Sequence, residues 1–300
     1  MRSLWLAAML SVGILAGSPA PVSPASVLDK TAFETFVRRL FLWGPQVKVE
    51  IADPRPSALS GFFDVVVTAS AGSATQKETF VVSPDGKKVV RGTIYDLAKN
   101  PFEEDLARLH TEDAPKLGSE NAPLKLVIFT DLQCGYCKRN AQVLRENVLP
   151  AFGDKLQIAY KDYPLDPIHP WARTAAVAGR CIYKQKPQVF WMFEDWIFAH
   201  QPQLTADNMK SQVTDFAKAH GLDTTVFGSC LASKEAADEV EKSLGEGHVL
   251  GVNSTPTMFL NGRRLVGALP WEEMKEILTQ ELALSQKPAG AGPSSAGSDK

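Results

Sequence analysis

Two cysteines, Cys134 and Cys137, follow directly after the apolar run 124–129 and directly before a helical pattern. This position places both thiols at a turn from a strand into a helix. Free backbone N–H groups at the start of a helix stabilise negative charge, which lowers the pKa of the first thiol. We therefore expect Cys134 to be the attacking sulfur and Cys137, one helical turn later, to be the resolving sulfur. Gly135 and Tyr136 form the turn between them.

A structural zinc site is the alternative interpretation of such a pair. It needs a second pair of Cys or His ligands at close spacing. The two remaining cysteines, Cys181 and Cys230, are far apart, and none of the five histidines forms an H-x₃₋₅-H pair. The pattern therefore favours redox chemistry over zinc, and neither a metal nor a cofactor is predicted.

The first 25 residues have the composition of a secretory signal peptide. A short cationic start precedes an apolar segment, 4–15, which is short for a membrane span, and then an exit rich in Pro and small residues. Cleavage is expected after Ala20 or Ala25, and an uncleaved membrane anchor is the alternative. The mature chain is therefore expected to be periplasmic or otherwise exported, and soluble.

The composition is that of an ordinary globular chain. It is 44% apolar and 22% charged with a formal net charge of −2, which gives no indication of nucleic-acid binding. The length of 300 residues suggests about two domains. A polar segment with Pro and Gly, 111–123, predicts a linker between an N-terminal module, 26–110, and a second domain, 124–284. The Pro/Ala/Gly/Ser-rich end, 285–300, is expected to be disordered.

The N-terminal module is predicted to be a small α+β domain. Thr31 and Glu34 match a capping box at the start of an amphipathic helix that ends near Phe41. Alternating apolar residues then indicate an antiparallel sheet, with strands near 47–51, 63–67, 80–82 and 88–91. The module contains no Cys and no cluster of catalytic residue types. We interpret it as a dimerisation or substrate-shaping module, with a structural cap as the alternative.

The second domain follows the order strand, helix, strand, inserted helices, strand, strand, helix. A thioredoxin-like α/β fold with an inserted helical subdomain, about 165–247, accounts for that order. The aromatic segment 190–198 is apolar nearly all round, which favours a core helix over a ligand site. Pro256 precedes a central strand of this layout, where a trans Pro is awkward. A cis Thr255–Pro256 bond facing the cysteine turn is therefore predicted, with a trans turn as the alternative.

The other two cysteines, Cys181 and Cys230, both lie in the inserted helical region. In an oxidising compartment an even remainder of cysteines indicates a disulfide. We predict a structural Cys181–Cys230 bond that braces the helices. Two buried free thiols, or a relay to the first pair, are the alternatives. His169 is the one histidine placed to line a groove near Cys134, and it is assigned no catalytic role because a surface or capping histidine is more common.

Segments 129–137 and 250–256 resemble the active-site segments of the bacterial Dsb thioredoxin-fold proteins, particularly the disulfide isomerase DsbC. The Cys-Gly-Tyr-Cys pair and a Thr before the cis Pro are isomerase-like features. Segments 78–86 and 91–97 resemble, more weakly, the end of the DsbC dimerisation domain.

The rest of the second domain resembles a different branch of this family. Residues 161–172 and 190–201 are similar to the helical insertion of DsbA-type proteins of the thioredoxin_4 group. The chain therefore resembles a hybrid, with isomerase-like motifs on a DsbA-type catalytic domain. Ile128 stands where thioredoxin itself has a buried acid that assists proton transfer.

The resemblance implies that Thr255 and Pro256 offer backbone to an extended substrate peptide and hold its disulfide over Cys134. It implies an exported thiol–disulfide oxidoreductase acting on protein disulfides, with isomerase or reductase character favoured. A DsbA-like oxidase is one alternative, and a non-catalytic peptide-binding chaperone is another. The expected partners are exported proteins with cysteines, a membrane redox partner that recycles the pair, and a second copy of the chain bound through the N-terminal module.

Overall fold

The computed structural model describes residues 28–72 and 74–286. The predicted leader, 1–25, lies outside these residues. The predicted tail also lies outside them, apart from its first two positions, 285–286. None of the helices in the described part of the chain is both long enough and apolar enough to cross a membrane.

The chain divides into two compact units after Tyr95. This division differs from the predicted one, which assigned residues 96–110 to the N-terminal module. In the structure this segment belongs to the second unit, where Lys161 Nζ donates a hydrogen bond of 2.8 Å to the backbone oxygen of His110. The sequence pattern showed only a short helix before a polar stretch, and it carried no sign of that long-range contact.

The helices and strands follow one another along both units. The helices are α1 (Lys30–Phe41), α2 (Glu103–Arg108), α3 (Gly135–Val143), α4 (Leu149–Phe152), α5 (Ala172–Gln185), α6 (Val189–His200), α7 (Met209–Ala219), α8 (Thr224–Leu231), α9 (Lys234–Val249) and α10 (Trp271–Ser285). The strands are β1 (Lys48–Ile51), β2 (Arg55–Pro56), β3 (Phe63–Ala71), β4 (Ala74–Val82), β5 (Val89–Arg91), β6 (Lys116–Gly118), β7 (Leu124–Thr130), β8 (Leu156–Asp162), β9 (Thr257–Leu260) and β10 (Arg263–Val266).

The first unit packs α1 on an antiparallel sheet of order β1-β3-β4-β5, with β2 paired to β3. Alternate residues of β3, including Val65 and Val67, are buried on one face of the sheet, as their period of two predicts. The cap of α1 differs from the predicted capping box. Asp29 Oδ1 accepts hydrogen bonds of 3.0 Å from the N–H groups of Thr31 and Ala32. The helix therefore begins one residue before Thr31.

The second unit contains a mixed sheet of order β10-β9-β7-β8-β6. β7 and β8 are parallel, and the other pairs are antiparallel. β7 is apolar on both faces, as is typical of a central strand. Leu126 and Ile128 contribute to a core with α10, while Val127 and Phe129 contribute to the core of the helical insertion.

Helices α5 to α9 are inserted between β8 and β9, so the predicted α/β layout with a helical insertion is confirmed. The predicted core role of segment 190–198 agrees with the burial of Phe190, Phe193 and Ile197 in α6. The sequence patterns missed β6 and α8, as well as the short elements β2 and α4. β6 pairs with β8 inside the predicted linker, and α8 is a short helix whose periodicity is too brief to stand out.

Cys181 on α5 and Cys230 on α8 form a disulfide in the structure, with a sequence separation of 49 residues. The bond joins two helices of the insertion.

Loss of the Cys181–Cys230 bond is expected to destabilise the protein. Closing a loop of 49 residues lowers the conformational entropy of the unfolded chain, which raises its free energy by at most about 4 kcal/mol. A C181A/C230A variant is expected to lose about 2–4 kcal/mol in the free energy of unfolding. The measurement is urea unfolding in a C134S/C137S background, in which the two proteins differ at this bond alone.

The same comparison under a reductant is the control, because both proteins then lack the bond. Most of the difference should disappear there. A difference of the same size with and without reductant would contradict a stabilising role for the disulfide.

Candidate active site

The two cysteines of the predicted redox pair lie at the end of β7. Cys134 is the N-cap residue of α3, with extended backbone angles, and Cys137 lies in the first turn of the helix. Both are free thiols and both are buried, Cys134 with 6% and Cys137 with 1% of its surface exposed. Tyr136 between them is 59% exposed. The strand-to-helix turn thus gives the two sulfurs different surroundings.

Cys134 is surrounded by hydrogen-bond donors that favour its ionised form. The thiol of Cys137 has the largest effect, and the backbone N–H groups of Cys137 and Tyr136 add to it. Burial acts in the opposite direction. Together these contacts lower the pKa of Cys134 from its ordinary 9.0 to about 5. Cys134 is therefore a thiolate at neutral pH, which is the nucleophilic form.

The pKa of Cys137 is shifted in the opposite direction. Burial raises its pKa well above the ordinary 9.0, and the neighbouring sulfur of Cys134 raises it further. The backbone N–H of Asp131 donates to its sulfur at 3.4 Å. Cys137 is therefore a neutral thiol at physiological pH, and it must lose its proton before it can attack a disulfide.

The turn before Cys134 is held by the buried carboxylate of Asp131. Its Oδ1 accepts from the N–H of Gln133, and its Oδ2 accepts from the N–H of Leu165, both at 2.7 Å. Nδ1 of His169 also lies 2.7 Å from Oδ2. Sequence reasoning missed Asp131 altogether. It noted His169 as a residue that could line the groove, and the structure places it there with its ring paired to this carboxylate.

The predicted partner loop lies opposite the cysteines. The Thr255–Pro256 bond is cis in the structure, and the backbone oxygen of Thr255 is 3.5 Å from Cys134 Sγ. An open groove of about 670 Å³ runs between this loop and the start of α3. The residues that line it are Cys134, Gly135, Tyr136, Arg139, Leu165, Ile168, His169, Ser254 and Thr255. The groove therefore brings together residues predicted separately from two distant segments.

The helical insertion holds the same turn from the other side. Gln201, just after α6, donates from Nε2 to the backbone oxygens of Leu132 at 2.9 Å and Cys134 at 3.3 Å. Gln133 Oε1 accepts from the N–H of Trp171 at 2.9 Å. These contacts join the insertion directly to the residues around the nucleophile. No local pattern in the sequence indicates them.

A zinc site is the alternative interpretation of the cysteine pair. Within 28–72 and 74–286, no group of three or more His, Cys, Asp or Glu side chains is arranged to hold a metal ion. Cys137 is further enclosed by the cores of α3 and the sheet.

A family model described as Thioredoxin, Thioredoxin_4, matches residues 110–280 of this chain. The chain belongs to this thioredoxin family. The match covers the second unit almost completely, and it includes both the cysteine turn and the cis-Pro loop. The thioredoxin-like fold and the Dsb-type resemblance predicted from the sequence are thereby confirmed.

Curated relatives of this thioredoxin-family chain carry the name of a different protein class. The Na(+)/H(+) antiporter NhaA 1 of Salinispora arenicola is 29% identical over 166 residues, covering 55% of this chain and 24% of that one. The Na(+)/H(+) antiporter NhaA 1 of Mycolicibacterium gilvum is 32% identical over 166 residues, covering 55% of this chain and 25% of that one. The chain thus spans about a quarter of the length of these relatives, and their name describes proteins of which it matches a small part.

Solved structures share the fold. BdbD from Bacillus subtilis superposes with a TM-score of 0.53 at 24% identity, over 58% of this chain and 95% of that one. Wolbachia pipientis alpha-DsbA1 superposes with a TM-score of 0.54 at 17% identity, over 60% of this chain and 96% of that one. Proteus mirabilis ScsC superposes with a TM-score of 0.50 at 22% identity, over 61% of this chain and 78% of that one. At these identities the similarity describes the fold alone.

Titration of the reduced protein, followed by thiolate absorbance in the ultraviolet, is expected to show one thiol ionising near pH 5. Cys137→Ala removes the strongest donor to that thiolate while the backbone N–H groups remain. The pKa of Cys134 is then expected to rise by about one unit or more, equivalent to roughly 1.4 kcal/mol per unit.

Cys134→Ser is the matched control and should remove the titration in this range. An ionisation that stays near pH 9 in the wild-type protein would contradict the stabilised thiolate.

Proposed function

We propose that this protein is an exported thiol–disulfide oxidoreductase that exchanges disulfides with protein substrates. The observation that carries the proposal is the stabilised thiolate of Cys134 at the floor of an open groove, with the protonated thiol of Cys137 one helical turn away. Cys134 attacks a substrate disulfide and forms a mixed disulfide, which Cys137 then resolves. Fold similarity to proteins named as thiol–disulfide exchange proteins supports the same chemistry.

The groove supports an extended protein substrate. Its lining includes the half-buried or exposed apolar side chains of Leu165, Ile168 and Tyr136. The loop at Thr255 presents backbone beside the nucleophile, a feature suited to binding a strand through main-chain hydrogen bonds. Such binding tolerates many sequences because the contacts are to backbone atoms.

Two directions of exchange remain as candidates. The Cys-Gly-Tyr-Cys turn and Thr255 support isomerase or reductase character through their resemblance to DsbC. The low pKa of Cys134 supports oxidation, because a stabilised thiolate favours the reduced form of the pair and so makes its disulfide a stronger oxidant. The DsbA-like oxidase is therefore the second candidate function.

The setting of this reaction is part of the proposal. The leader pattern at 1–25 supports export, and exported proteins with cysteines are the proposed substrates. A membrane redox partner would recycle the pair, and the N-terminal unit would join two copies of the chain. The exposed apolar side chains of Phe36, Leu40 and Leu42 in and after α1 support the last point.

Substrate assays with single cysteine variants test the proposal. Wild-type protein is expected to reactivate scrambled ribonuclease or to oxidise the reduced enzyme. Cys134→Ala should abolish both activities because no nucleophile remains. Cys137→Ala should accumulate a mixed disulfide with the substrate, visible by mass spectrometry, because the resolving thiol is missing.

The equilibrium of the 134/137 pair with glutathione separates the two directions. A potential above about −200 mV would favour the oxidase, and a value near about −270 mV would favour a reductase. Full activity of Cys134→Ala in suppressing aggregation, together with no exchange by wild-type protein, would replace both with the chaperone alternative.

A further inference from the structure

Glu194 is a buried carboxyl group to which the exchange between the two thiols assigns no role. It lies on α6 of the helical insertion with 7% of its surface exposed. Burial raises its pKa to about 7, against the opposing charge of Arg145 and with a smaller contribution from Asp195. A carboxyl group with this pKa can both accept and donate a proton at neutral pH.

Glu194 and Cys137 line the same partly enclosed cavity. Its volume is about 10 Å³, close to the space that one water molecule needs. The lining residues come from α3 and the turn after it, the two parallel strands and α6. They are Ile128, Thr130, Cys137, Asn140, Ala141, Leu144, Arg145, Ile158, Tyr160, Trp191 and Glu194. Among these residues Glu194 supplies the carboxyl group.

Two more polar atoms of this lining support a proton path. Oδ1 of Asn140 and Oη of Tyr160 are buried and have no hydrogen-bond partner among the described residues. A buried polar atom without a partner is costly, and a bridging water in a polar cavity removes that cost. The cavity that Cys137 and Glu194 line therefore offers hydrogen-bond partners to a single water molecule.

The charged and titratable groups that face Glu194 are few. Arg145 Nη2 is 2.6 Å from its Oε2, and Arg145 also pairs with the more exposed Asp195 at 3.2 Å. Tyr160 comes from β8, and burial raises the pKa of its phenol well above 10.0, so that it stays neutral. Cys137 comes from α3. Of these groups, Glu194 has a pKa of about 7, near neutral pH.

A wide helical turn brings Arg145 to this position. Residues Leu144–Val148 form a π-helical turn after α3, in which the N–H of Leu149 donates to the oxygen of Leu144. Pro150 follows, and its ring cannot be accommodated against the carbonyl four residues before it in a regular α-helix. Such turns often occur at functional sites. Here the turn carries the partner of Glu194 on the same helix as the resolving thiol.

We propose that Glu194 accepts the proton of Cys137, through the water-sized cavity, when Cys137 resolves a mixed disulfide. The inference rests on the proposed function. The Cys137 proton passes to the Glu194 carboxylate, and the new thiolate attacks Sγ of Cys134. The Cys134–Cys137 bond forms, the bond from Cys134 to the substrate breaks, and the substrate leaves as a thiolate. In the reverse step, Cys137 leaves as a thiolate and the Glu194 carboxylic acid protonates it.

The test uses 5,5′-dithiobis(2-nitrobenzoate) and the full-length reduced protein. Attack by Cys134 releases one equivalent of thionitrobenzoate, and resolution by Cys137 releases the second. Glu194→Gln keeps the shape of the side chain and removes the proton acceptor. The first phase is expected to stay as in the wild type, while the second slows by about 100-fold at pH 7.

The pH profile gives a readout that a structural role would not move. In wild-type protein the second-phase rate should rise to about pH 7 and then level, because Glu194 is then a carboxylate. In Glu194→Gln it should continue to rise with pH, because hydroxide must replace the missing base. A variant with the wild-type second phase and profile would overturn the inference.

Asp195→Asn is the matched control on the same helix and against the same arginine. Its second-phase rate should stay close to that of the wild type. Because Asp195 raises the pKa of Glu194, removing its charge should lower the pH at which this rate stops rising. A loss as large as that in Glu194→Gln would assign the effect to the Arg145 ion pair and would overturn the inference.

Two further outcomes keep the inference separate from the proposed function. If wild-type protein releases no thionitrobenzoate in the first phase, the proposed function itself fails. If Glu194→Gln does not fold, difference infrared spectra of oxidised and reduced wild-type protein replace the kinetic test. A carboxyl group that changes protonation between the two states at pH 7 supports the proton transfer, and the absence of such a change overturns it.

Discussion

The negative charge on one buried sulfur is the constraint on which the rest of this site depends. Cys134 is largely removed from water, so its thiolate must be stabilised by nearby donors rather than by solvent. The first turn of α3 supplies them as backbone N–H groups and as the thiol of Cys137. Most of these donors belong to the strand-to-helix turn, and Thr255 of the cis-Pro loop adds to them, so the geometry of β7, α3 and this loop determines the ionisation of Cys134.

The same contact makes the two thiols unequal. Cys137 donates to the thiolate and is more deeply buried, so the pKa of Cys137 is raised while that of Cys134 is lowered. A thiol of this kind is protected from premature reaction, but it needs a base before it can attack. The demand for a base near Cys137 therefore follows from its burial and from its contact with Cys134, and Glu194 on α6 lines the same cavity as Cys137.

The helical insertion contributes to both sides of the site. On the groove side, His169 precedes α5 and pairs with the carboxylate of Asp131, and Gln201 after α6 binds the carbonyl oxygens of the turn. On the cavity side, α6 supplies Glu194 and, through it, the ion pair with Arg145. An element inserted between two strands thus positions the turn, lines the open groove and shares a cavity with Cys137.

Local sequence patterns were sufficient to predict the strand-to-helix turn with Cys134 and Cys137, most helices of the insertion and the order of the strands β7 to β10. These features depend on residues that are neighbours along the chain, through periodicity, capping and turn chemistry. The placement of Asp131 beside His169, and of Glu194 at a cavity that Cys137 also lines, depends on pairs separated by tens of residues. No period or motif records such a pair, because the contact exists only after the insertion has packed on the sheet. The sequence alone therefore determined which cysteine begins the helix, and the tertiary structure decided which groups hold its turn and which carboxyl group shares a cavity with Cys137.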